Sequence, residues 1–597
     1  MKRWKSKLKT ISVVLVIMFT GSFFTGIHAE DISTVAQQPG ETVTGKVTTV
    51  EGEELPGVNI VIVGTTIGTV SDVQGNYSLS VPEEHLSGIL QISYIGYLTE
   101  TIDIAGQTEI NIILIPDLQQ LDEVVVVGYG VQKKSDLTGS IASVSGDKLT
   151  EVAVSGVDMA LQGRAAGVFV TSENGIPGSD VVVQVRGISS INGADPLYVI
   201  DGAASSHYTI SALNPSDIES IEVLKDASSA AIYGASGGNG VILITTKQGS
   251  AGKLKAELDY YYGLQNPHRR VDMCNRDEFF DIYNNIVPEE DRYSDSLIAT
   301  FPDINYQDEI YRNAEMHNVN FSLSGGNEQS TYRFSAGYFY QDGTIRNSGY
   351  SRINLRLNSL HNIGKRIKFG QNIALSNETI KGFETYKVNH GYLSVFSQAL
   401  TMHPFVEPYD STGNWSQSPL SNVTNPLVEI DVTDRELPEY RILGDLNLEV
   451  ELIKGLSYKT ILGADLNLRH DRNFVREYYY NPNTNNPQSY IVRRNERSYA
   501  WSWQHTLQYN LSLASHNIGA MAGFESGYDL YEWHQGTRYD LINETRAMHY
   551  FDASLNAESI ILDGGGDDRA SYSYFGRINY DYKGIFLLTA NIRKDYS

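Results

Sequence analysis

Cysteine is almost missing from these 597 residues. Cys274 stands alone, which excludes an intramolecular disulfide framework, a CxxC redox pair and a thiolate zinc cluster. Positive charge is scarce as well: 46 Lys and Arg face 71 Asp and Glu, for a formal charge of −25. A nucleic-acid binder needs a basic face to displace counterions from phosphates, and this balance opposes one. The 13 histidines are scattered, with no H-E-x-x-H pairing, so no transition-metal site is inferred. After residue 29 there is no apolar run of helix length, so any membrane crossing has to be made by strands. Disorder is excluded too, because 41% of the residues are apolar and only 20% charged. At this length several structural units are expected, a usual domain having roughly 100–200 residues.

The first 29 residues do hold an apolar run. Lys2, Arg3, Lys5, Lys7 and Lys9 precede the charge-free stretch Ile11–Ile27, and Ile27-His28-Ala29 offers a cleavage point before Glu30. This reads as a secretory signal peptide over 1–29, with an uncleaved anchor as the alternative. Its removal takes the charge from −25 to −30. The residue directly after the cleavage point is Glu30 and not a cysteine, which argues against a lipoprotein.

Residues 42–116 alternate as short strands do: Val43 and Val47, then Val58, Ile60 and Ile62, then Tyr77, Leu79 and Val81, then Ile92 and Tyr94, then Ile110, Ile112 and Leu114. Leu55-Pro56-Gly57 and Asp72-Val73-Gln74-Gly75-Asn76 supply turns between them. The pattern predicts a small all-β sandwich without a catalytic cluster. Its wording, "GKV…LPGVNIVIVGTTIGTVSDVQGNYSLSVP", resembles the carboxypeptidase-regulatory-like domain, a non-catalytic module.

Residues 121–130, Leu-Asp-Glu-Val-Val-Val-Val-Gly-Tyr-Gly, prefer extended backbone because four β-branched valines follow one another. Two readings stay open: one more strand of the neighbouring domain, or a tether strand that adds to a partner's sheet edge. Residues 131–250 mix short strands with short helices. A helix is expected at Val157–Leu161, a turn at Ser216–Glu219 and a small helix at Ala227–Tyr233. Strands are expected at Val181–Val185, Leu197–Ile200, Ile221–Leu224 and Val241–Thr245.

"LQGRAAGVFV", "VVVQVRG", "PLYVIDG", "NPSDIESIEVLKDASSAAIYG" and "NGVILITTKQG" together resemble the plug of a TonB-dependent outer-membrane transporter. "LYVIDG" and the preceding "LDEVVVVGYG" resemble its SusC/RagA subfamily. The resemblance runs from about residue 42 to residue 250. It places the plug motif on Arg164, Arg186, Gly187, Tyr198, Asp201 and Gly202; the two arginines are expected to pair with acids of the barrel wall, a gating role being the alternative. One departure is visible: the family often carries a basic residue after Ile-Tyr-Gly, whereas here Tyr233-Gly234 is followed by Ala235 and Ser236.

Tyrosine marks a boundary near residue 250. Of 38, seven precede it and 31 follow. Beyond it, period-2 rows recur: Ile353, Leu355 and Leu357 alternate with Asn354, Arg356 and Asn358; Leu446, Leu448, Val450 and Leu452 with Asn447, Glu449 and Glu451. Trp501, Trp503, Leu507, Tyr509 and Leu511 repeat the scheme, as do Tyr572, Tyr574, Ile578 and Tyr580. Hydrocarbon offers no hydrogen-bond partners, so such strands pair in a closed barrel with apolar residues toward lipid and polar ones toward the lumen. Tyrosine suits the interfacial girdles. A soluble two-sheet sandwich also alternates, but the number of strands, their length and the tyrosines favour a transmembrane barrel over 251–597.

The expected fold class is therefore mainly β: a β-sandwich, an α+β plug, and part of a transmembrane antiparallel β-barrel. About ten to thirteen strands are readable, against about 22 in plugged transporters of this kind. The sequence is expected to be C-terminally truncated relative to a closed barrel, and residues 1–597 alone are not expected to form a working pore.

Two further motifs invite chemistry. Gly234-Ala235-Ser236-Gly237-Gly238 matches G-x-S-x-G, but the nucleophile elbow needs a strand before it and a helix after it, and here the order is reversed. No enzyme is expected. Asp563-Gly564-Gly565-Gly566-Asp567-Asp568 reads as an acidic loop that could take calcium, though it lacks the EF-hand spacing and is more simply a solvated loop. No other cofactor is expected.

The resemblance implies active import of a polar nutrient, a glycan or a peptide, across the outer membrane. It puts the TonB box on Asp122, Glu123, Val124, Val125, Val126, Val127 and Gly128, and a leash on Lys133–Asp136. TonB, powered by ExbB–ExbD, would pull there, and a SusD-like lipoprotein would lid the outer mouth. Asn174, Ser179, Asn192 and Asp195, in Gly/Asn/Ser-rich plug loops, are the candidate substrate-facing residues. A siderophore or cobalamin importer and a non-transporting surface barrel or adhesin are the rival readings.

Overall fold

The computed structural model describes residues 40–597 except 50, 51, 53, 66, 95, 96, 98, 115–123, 128–129, 134–140, 173–174, 188–194, 206–208, 227–229, 384–393 and 556–558. The expected signal peptide lies outside the described residues. The chain divides into two compact units, Met1–Asp122 and Glu123–Ser597.

In the first unit, two sheets enclose one core. Asn76–Pro82, Gly40–Thr49 and Ile112–Leu114 form one, and Gly68–Val70, Asn59–Ile62, Ile89–Ser93 and Glu100–Asp103 the other. Every apolar residue of the expected alternation is in the core, Val43, Val58, Ile60 and Val81 with no exposure at all and Tyr94 half-buried against it. Period-2 patterning puts alternate side chains on one face, and both faces that meet here are the apolar ones. The Tyr77 hydroxyl donates to the Ile110 carbonyl at 2.8 Å, and burial pushes its pKa up to about 12. Gly45 passes so close to that carbonyl that any Cβ would overlap the oxygen. Asp72 closes the turn before Asn76 by accepting from the Gln74 and Asn76 amides.

The second unit holds eleven antiparallel strands in one sheet, in chain order: Gly252–Gln265, Ala314–Gly326, Ser330–Asp342, Gly349–Ile363, Ile367–Lys381, Thr433–Ile453, Leu456–Val475, Tyr490–Leu513, His516–Tyr539, Ile561–Tyr582 and Phe586–Tyr596. Connections at one end are tight (327–329, 364–366, 454–455, 514–515, 583–585), and those at the other run up to 51 residues (382–432). The shortest strand has 11 residues and the longest 24, enough to cross a hydrocarbon layer, which takes about 9–11.

Burial in this wall is inverted relative to a soluble protein. Ile353, Leu355 and Leu357 are 52%, 40% and 39% exposed, while the alternate residues Asn354, Arg356 and Asn358 are buried. The other predicted rows behave alike, with Leu446, Trp503, Tyr509, Tyr572 and Ile578 all exposed. An apolar face that wide, left without protein cover, is suited to lipid. Among the described residues no helix is long and apolar enough to cross a membrane.

Against the inner face sits the plug. Its sheet runs in the order Ile141–Ser145, Ile218–Leu224, Val241–Thr246, Leu197–Ile200, Ala203–Ser205, with a separate hairpin of Val168–Ser172 and Val181–Val185. Val157, Ile200, Ile221, Val223, Ile242 and Ile244 share its core. Eleven strands at about 4.8 Å spacing would span roughly 50 Å if flat. Yet the plug is bonded both to Asn320 on the second strand and to Arg593 on the last, so the wall curves around it.

The Asp563–Asp568 segment is not a loop. It is part of the tenth wall strand, paired residue by residue with Asp568↔Leu530 through Asp563↔Gln535. Extended pairing puts Asp567 and Asp568 on opposite faces and separates Asp563 from Asp567 by four residues, roughly 13 Å along the strand, so the three carboxylates do not converge on an ion. Among the described residues no cluster fit for a metal ion is present.

Candidate functional site

The plug motif takes its form from two tight turns. In "LYVIDG" the strands Leu197–Ile200 and Ala203–Ser205 pair as a hairpin whose two loop residues are Asp201 (φ 51°) and Gly202 (φ 93°). Positive φ at both positions is the demand of a type I′ turn, which Asp-Gly meets readily. Arg186 (φ 55°) and Gly187 (φ 93°) repeat the geometry at the end of Val181–Val185. Tyr198 is fully buried beneath the hairpin, and burial raises its phenol pKa well above the ordinary value.

The Asp201 turn directs its carboxylate to the seam between plug and wall. It accepts from the Thr246 amide at 2.9 Å, the Thr246 hydroxyl at 2.8 Å and Arg356 Nη2 of the fourth wall strand at 2.5 Å. Both charged side chains are almost sealed from solvent, 7% and 6% exposed. Arg356 also donates to the Thr246 hydroxyl, and Asn358 donates to that hydroxyl and to the Lys247 carbonyl. Buried charge is tolerated when paired and hydrogen-bonded, and here both conditions hold.

Similar contacts run around the plug. Arg352 donates to the carbonyls of Ser155 and Ser211. Asn214 donates to Asn320, and Asn320 donates to Ser216. Ser205 donates to Asp465, which accepts from Nε and Nη2 of Arg441 at 2.8 and 2.9 Å. At the corner after Ile-Tyr-Gly, Arg593 donates to the Ile232 carbonyl at 2.9 Å and pairs with Glu525 at 3.0 Å, and Asp595 accepts from the Ala235 amide at 3.3 Å. So the corner whose plug sequence lacks the family's basic residue meets an arginine of the wall. Gly234 there has φ 63°, and a Cβ would overlap the Asp595 carboxylate.

The partners expected for the two plug arginines need correction. Arg164 pairs with Glu151 at 3.0 Å and Arg186 with Asp226 at 2.8 Å, both acids of the plug itself rather than of the wall. These pairs brace turns inside the plug, and the contacts across the seam come from wall arginines instead. The sequence reading assigned no plug contact to Arg352, Arg356, Arg441 or Arg593 of the wall. The one available signal was the row Arg352, Asn354, Arg356 and Asn358, where two arginines share an otherwise uncharged polar face.

Of the TonB-box residues, Val124–Val127 form a strand paired antiparallel with Gly130–Lys133, Val127↔Gly130 being the last pair. Asp122, Glu123 and Gly128 lie outside the described residues, as do Lys134–Asp136 of the leash. Asn174 and Asn192 lie outside them too. Ser179 is half-buried in a turn with its amide donating to the Ile176 carbonyl, and neighbouring Gly178 abuts the Tyr350 ring at the end of the wall that carries the long connections. Asp195 is exposed, and its carbonyl accepts from Asn239. Gly234–Gly237 close a 3-10 helix, Ala231–Gly237, followed by the strand Val241–Thr246, the reverse of an elbow.

A polar-seated α+β plug inside a curved wall of long antiparallel strands, apolar on its outer face, defines a plugged β-barrel receptor. Residues 133–241 match the TonB-dependent Receptor Plug Domain, and residues 43–126 the CarboxypepD_reg-like domain. The chain is 34% identical over 567 residues to TonB-dependent receptor P3 of Formosa agariphila, covering 93% of this chain and 54% of that protein. It is 30% identical over 616 residues to TonB-dependent receptor SusC of Bacteroides thetaiotaomicron, covering 98% of this chain and 58% of that one. Among solved structures it is similar to the RagAB peptide importer in its open-open state, with a TM-score of 0.68 and 27% identity over 79% of this chain and 56% of that one. The chain belongs to the TonB-dependent receptor family, with SusC and RagAB among its relatives. It spans about half the length of the curated relatives it matches.

Proposed function

We propose that the protein containing this chain imports a polar nutrient, a glycan or a peptide, across the outer membrane, with plug movement driven by TonB. The observation that carries the reading is the seam between plug and wall. It joins hydrogen bonds and ion pairs, which can be broken and remade one by one, to apolar contacts of the wall residues Leu443 and Phe575 with the plug's clusters. Work is needed to break it, and the outer membrane has no nucleotide supply. TonB, energised by ExbB–ExbD, supplies that work through the segment Asp122–Gly128. A four-residue strand with a short partner suits strand exchange, since backbone hydrogen bonds along it load together. Outer-membrane lipid covers the exposed apolar rows, and a SusD-like lipoprotein is the partner at the outer mouth. The similarity to the RagAB peptide importer favours a peptide or another polar nutrient over a siderophore.

The test is deletion of Asp122–Val127 in the complete protein, followed by energised uptake in cells. Loss of uptake with unchanged surface abundance is expected. Unchanged uptake removes the TonB-driven reading.

A further inference from the structure

Toward the end with the long connections, the outer face of the wall carries a row of charge that runs across the strands. Lys381, Glu436, Arg472 and Arg493 stand directly opposite one another on four successive strands, with Gly536 next on the fifth. Directly opposed residues share a face, and Glu436 belongs to the alternation of Tyr440, Ile442 and Leu446, which are exposed on the apolar side. The row lies four residues past Tyr440. That is about 14 Å along the strand and roughly 10 Å along the membrane normal at a 45° tilt. Long connections are extracellular in such barrels, so the row stands at the headgroups of the outer leaflet rather than in hydrocarbon.

The connection 540–560 folds back over this row as a strap. Arg546 reaches across two strands to Glu436, His549 stacks on Phe474 with ring centroids 3.8 Å apart, and the Phe551 ring fills the space that a side chain at Gly536 would need. Arg493 donates to the His549 carbonyl and lies 4.9 Å from the centre of the Tyr550 ring. Four cations then share one carboxylate. Glu436 pairs with Arg472 and Arg546 and lies 3.6 Å from Lys381. Among the described residues no carboxylate pairs with Arg493, and its Nε is buried without a hydrogen-bond partner. Arg472 and Arg493 are like charges directly opposed, a destabilising arrangement unless an anion joins them.

Neighbouring groups do not supply that anion. Asp434 and Arg538 share the row above, one of each sign, and Arg497 pairs with Glu532 at 2.6 Å two rows below. Among the described residues the strap's own acids, Asp540, Glu544 and Asp552, form no ion pair with the row, and Glu544 accepts from the Glu477 amide instead. A phosphate group fits the gap, because guanidinium groups present paired N–H donors that match its oxygens. Lys381 and Arg546 keep 56% and 54% of their side chains exposed, so they remain within reach of a ligand. Beside them Tyr550 and Met548 are exposed as well and extend the apolar surface of the wall. Cations bordered by apolar side chains suit the boundary between headgroup and acyl chain. A free anion would leave that apolar border uncovered.

We infer that this row and its strap form a binding site for a phosphorylated lipid of the outer leaflet, with Arg472, Arg493, Lys381 and Arg546 holding the headgroup phosphate. The inference goes beyond the import reading and does not depend on it. The experiment titrates the complete protein in neutral detergent with fluorescent diphosphoryl lipid A and with the same lipid stripped of its phosphates, using inorganic phosphate as competitor. The phosphorylated form should bind about tenfold or more tightly than the stripped one, and Arg472→Gln with Arg493→Gln should abolish the difference. Lys381→Gln, at an exposed position, should weaken binding about threefold or more, whereas Lys583→Gln at the opposite end of the wall should leave it unchanged. Inorganic phosphate in large excess should not displace the lipid. The inference is overturned if both lipid forms bind alike, if the folded double variant keeps the parent's affinity, or if inorganic phosphate displaces the lipid completely, which would assign the row to a free anion. Should the double variant fail to fold, parent affinity in Lys381→Gln overturns it equally. A parent dimer in lipid-free detergent that the double variant splits would assign the row to a second copy of the chain instead.

Discussion

The Arg356–Asp201 pair gives the sharpest single perturbation of the plug seam. Arg356→Ala leaves Asp201 buried, with its Thr246 contacts but without a counter-charge, and leaves Asn358 without the guanidinium it now accepts from. Removing one partner of a buried pair costs about 3–5 kcal/mol. If the full cost falls on the seated state of the plug, the unseated population rises roughly 10²- to 4 × 10³-fold, at 1.4 kcal/mol per tenfold. Hydrogen exchange of the complete protein in detergent reads this directly. Amides of Leu197–Ser205 and Val241–Lys247 should lose that much protection, while wall amides beyond the plug, such as those of Tyr490–Arg497, stay unchanged. The double variant Arg356→Met with Asp201→Asn should lose far less than Arg356→Ala, because no buried charge is left alone. Protection in Arg356→Ala within about threefold of the parent would mean that the seam does not depend on this pair and that the argument from burial is wrong.

Other elements make equally definite predictions. Gly234→Ala introduces a Cβ at positive φ into the space of the Asp595 carboxylate, so it should unseat the corner Ala231–Gly237; chymotrypsin should then cut faster after Tyr233, and Asp595→Gly should partly restore protection. Tyr77→Phe removes one buried hydrogen bond from the sandwich and should lower its stability by about 0.5–1.5 kcal/mol in urea, with an unchanged m value. His403, packed between the Phe279 and Phe405 rings, has its pKa held below the ordinary 6.5 by burial. Its unfolded form therefore takes up the proton first, so stability is full above about pH 6.5 and declines as the pH falls below it. Protection factors in Val395–Thr401 should drop between pH 7 and pH 5, and His403→Gln should abolish that difference.

Much of the fold was legible because burial patterns are periodic. The sandwich core was readable from alternation alone, since each of its strands shows one face to a single core. The outward rows of the wall were readable for the same reason. Strands Ile141–Ser145 and Val168–Ser172 were not anticipated: both are short, and Ile141-Ala142-Ser143-Val144-Ser145 has only Val144 fully buried, too little for a period to register. The acidic Gly-rich segment was misjudged as a loop because three glycines and three aspartates are turn formers locally, and cross-strand pairing with Leu530–Gln535 overrides that preference. The seam was legible on the plug side, where Asp-Gly and Arg-Gly turns have a recognisable wording. It was opaque on the wall side. An arginine on a polar row looks the same whether it meets water or a plug carbonyl, so Arg352, Arg356 and Arg593 could be assigned only once their neighbours were known.

The account stands on strands 252–596 lying with their apolar rows in lipid and their polar rows against the plug. Single cysteines at positions 353 to 358, placed one at a time in the complete Cys274→Ser protein in native membranes and spin-labelled, measure this directly. Labels at 353, 355 and 357 should collide with a lipid-soluble relaxant, and labels at 354, 356 and 358 should be shielded from it, giving a period of two residues. A flat profile, or water-soluble relaxant reaching 353, 355 and 357 freely, would contradict it.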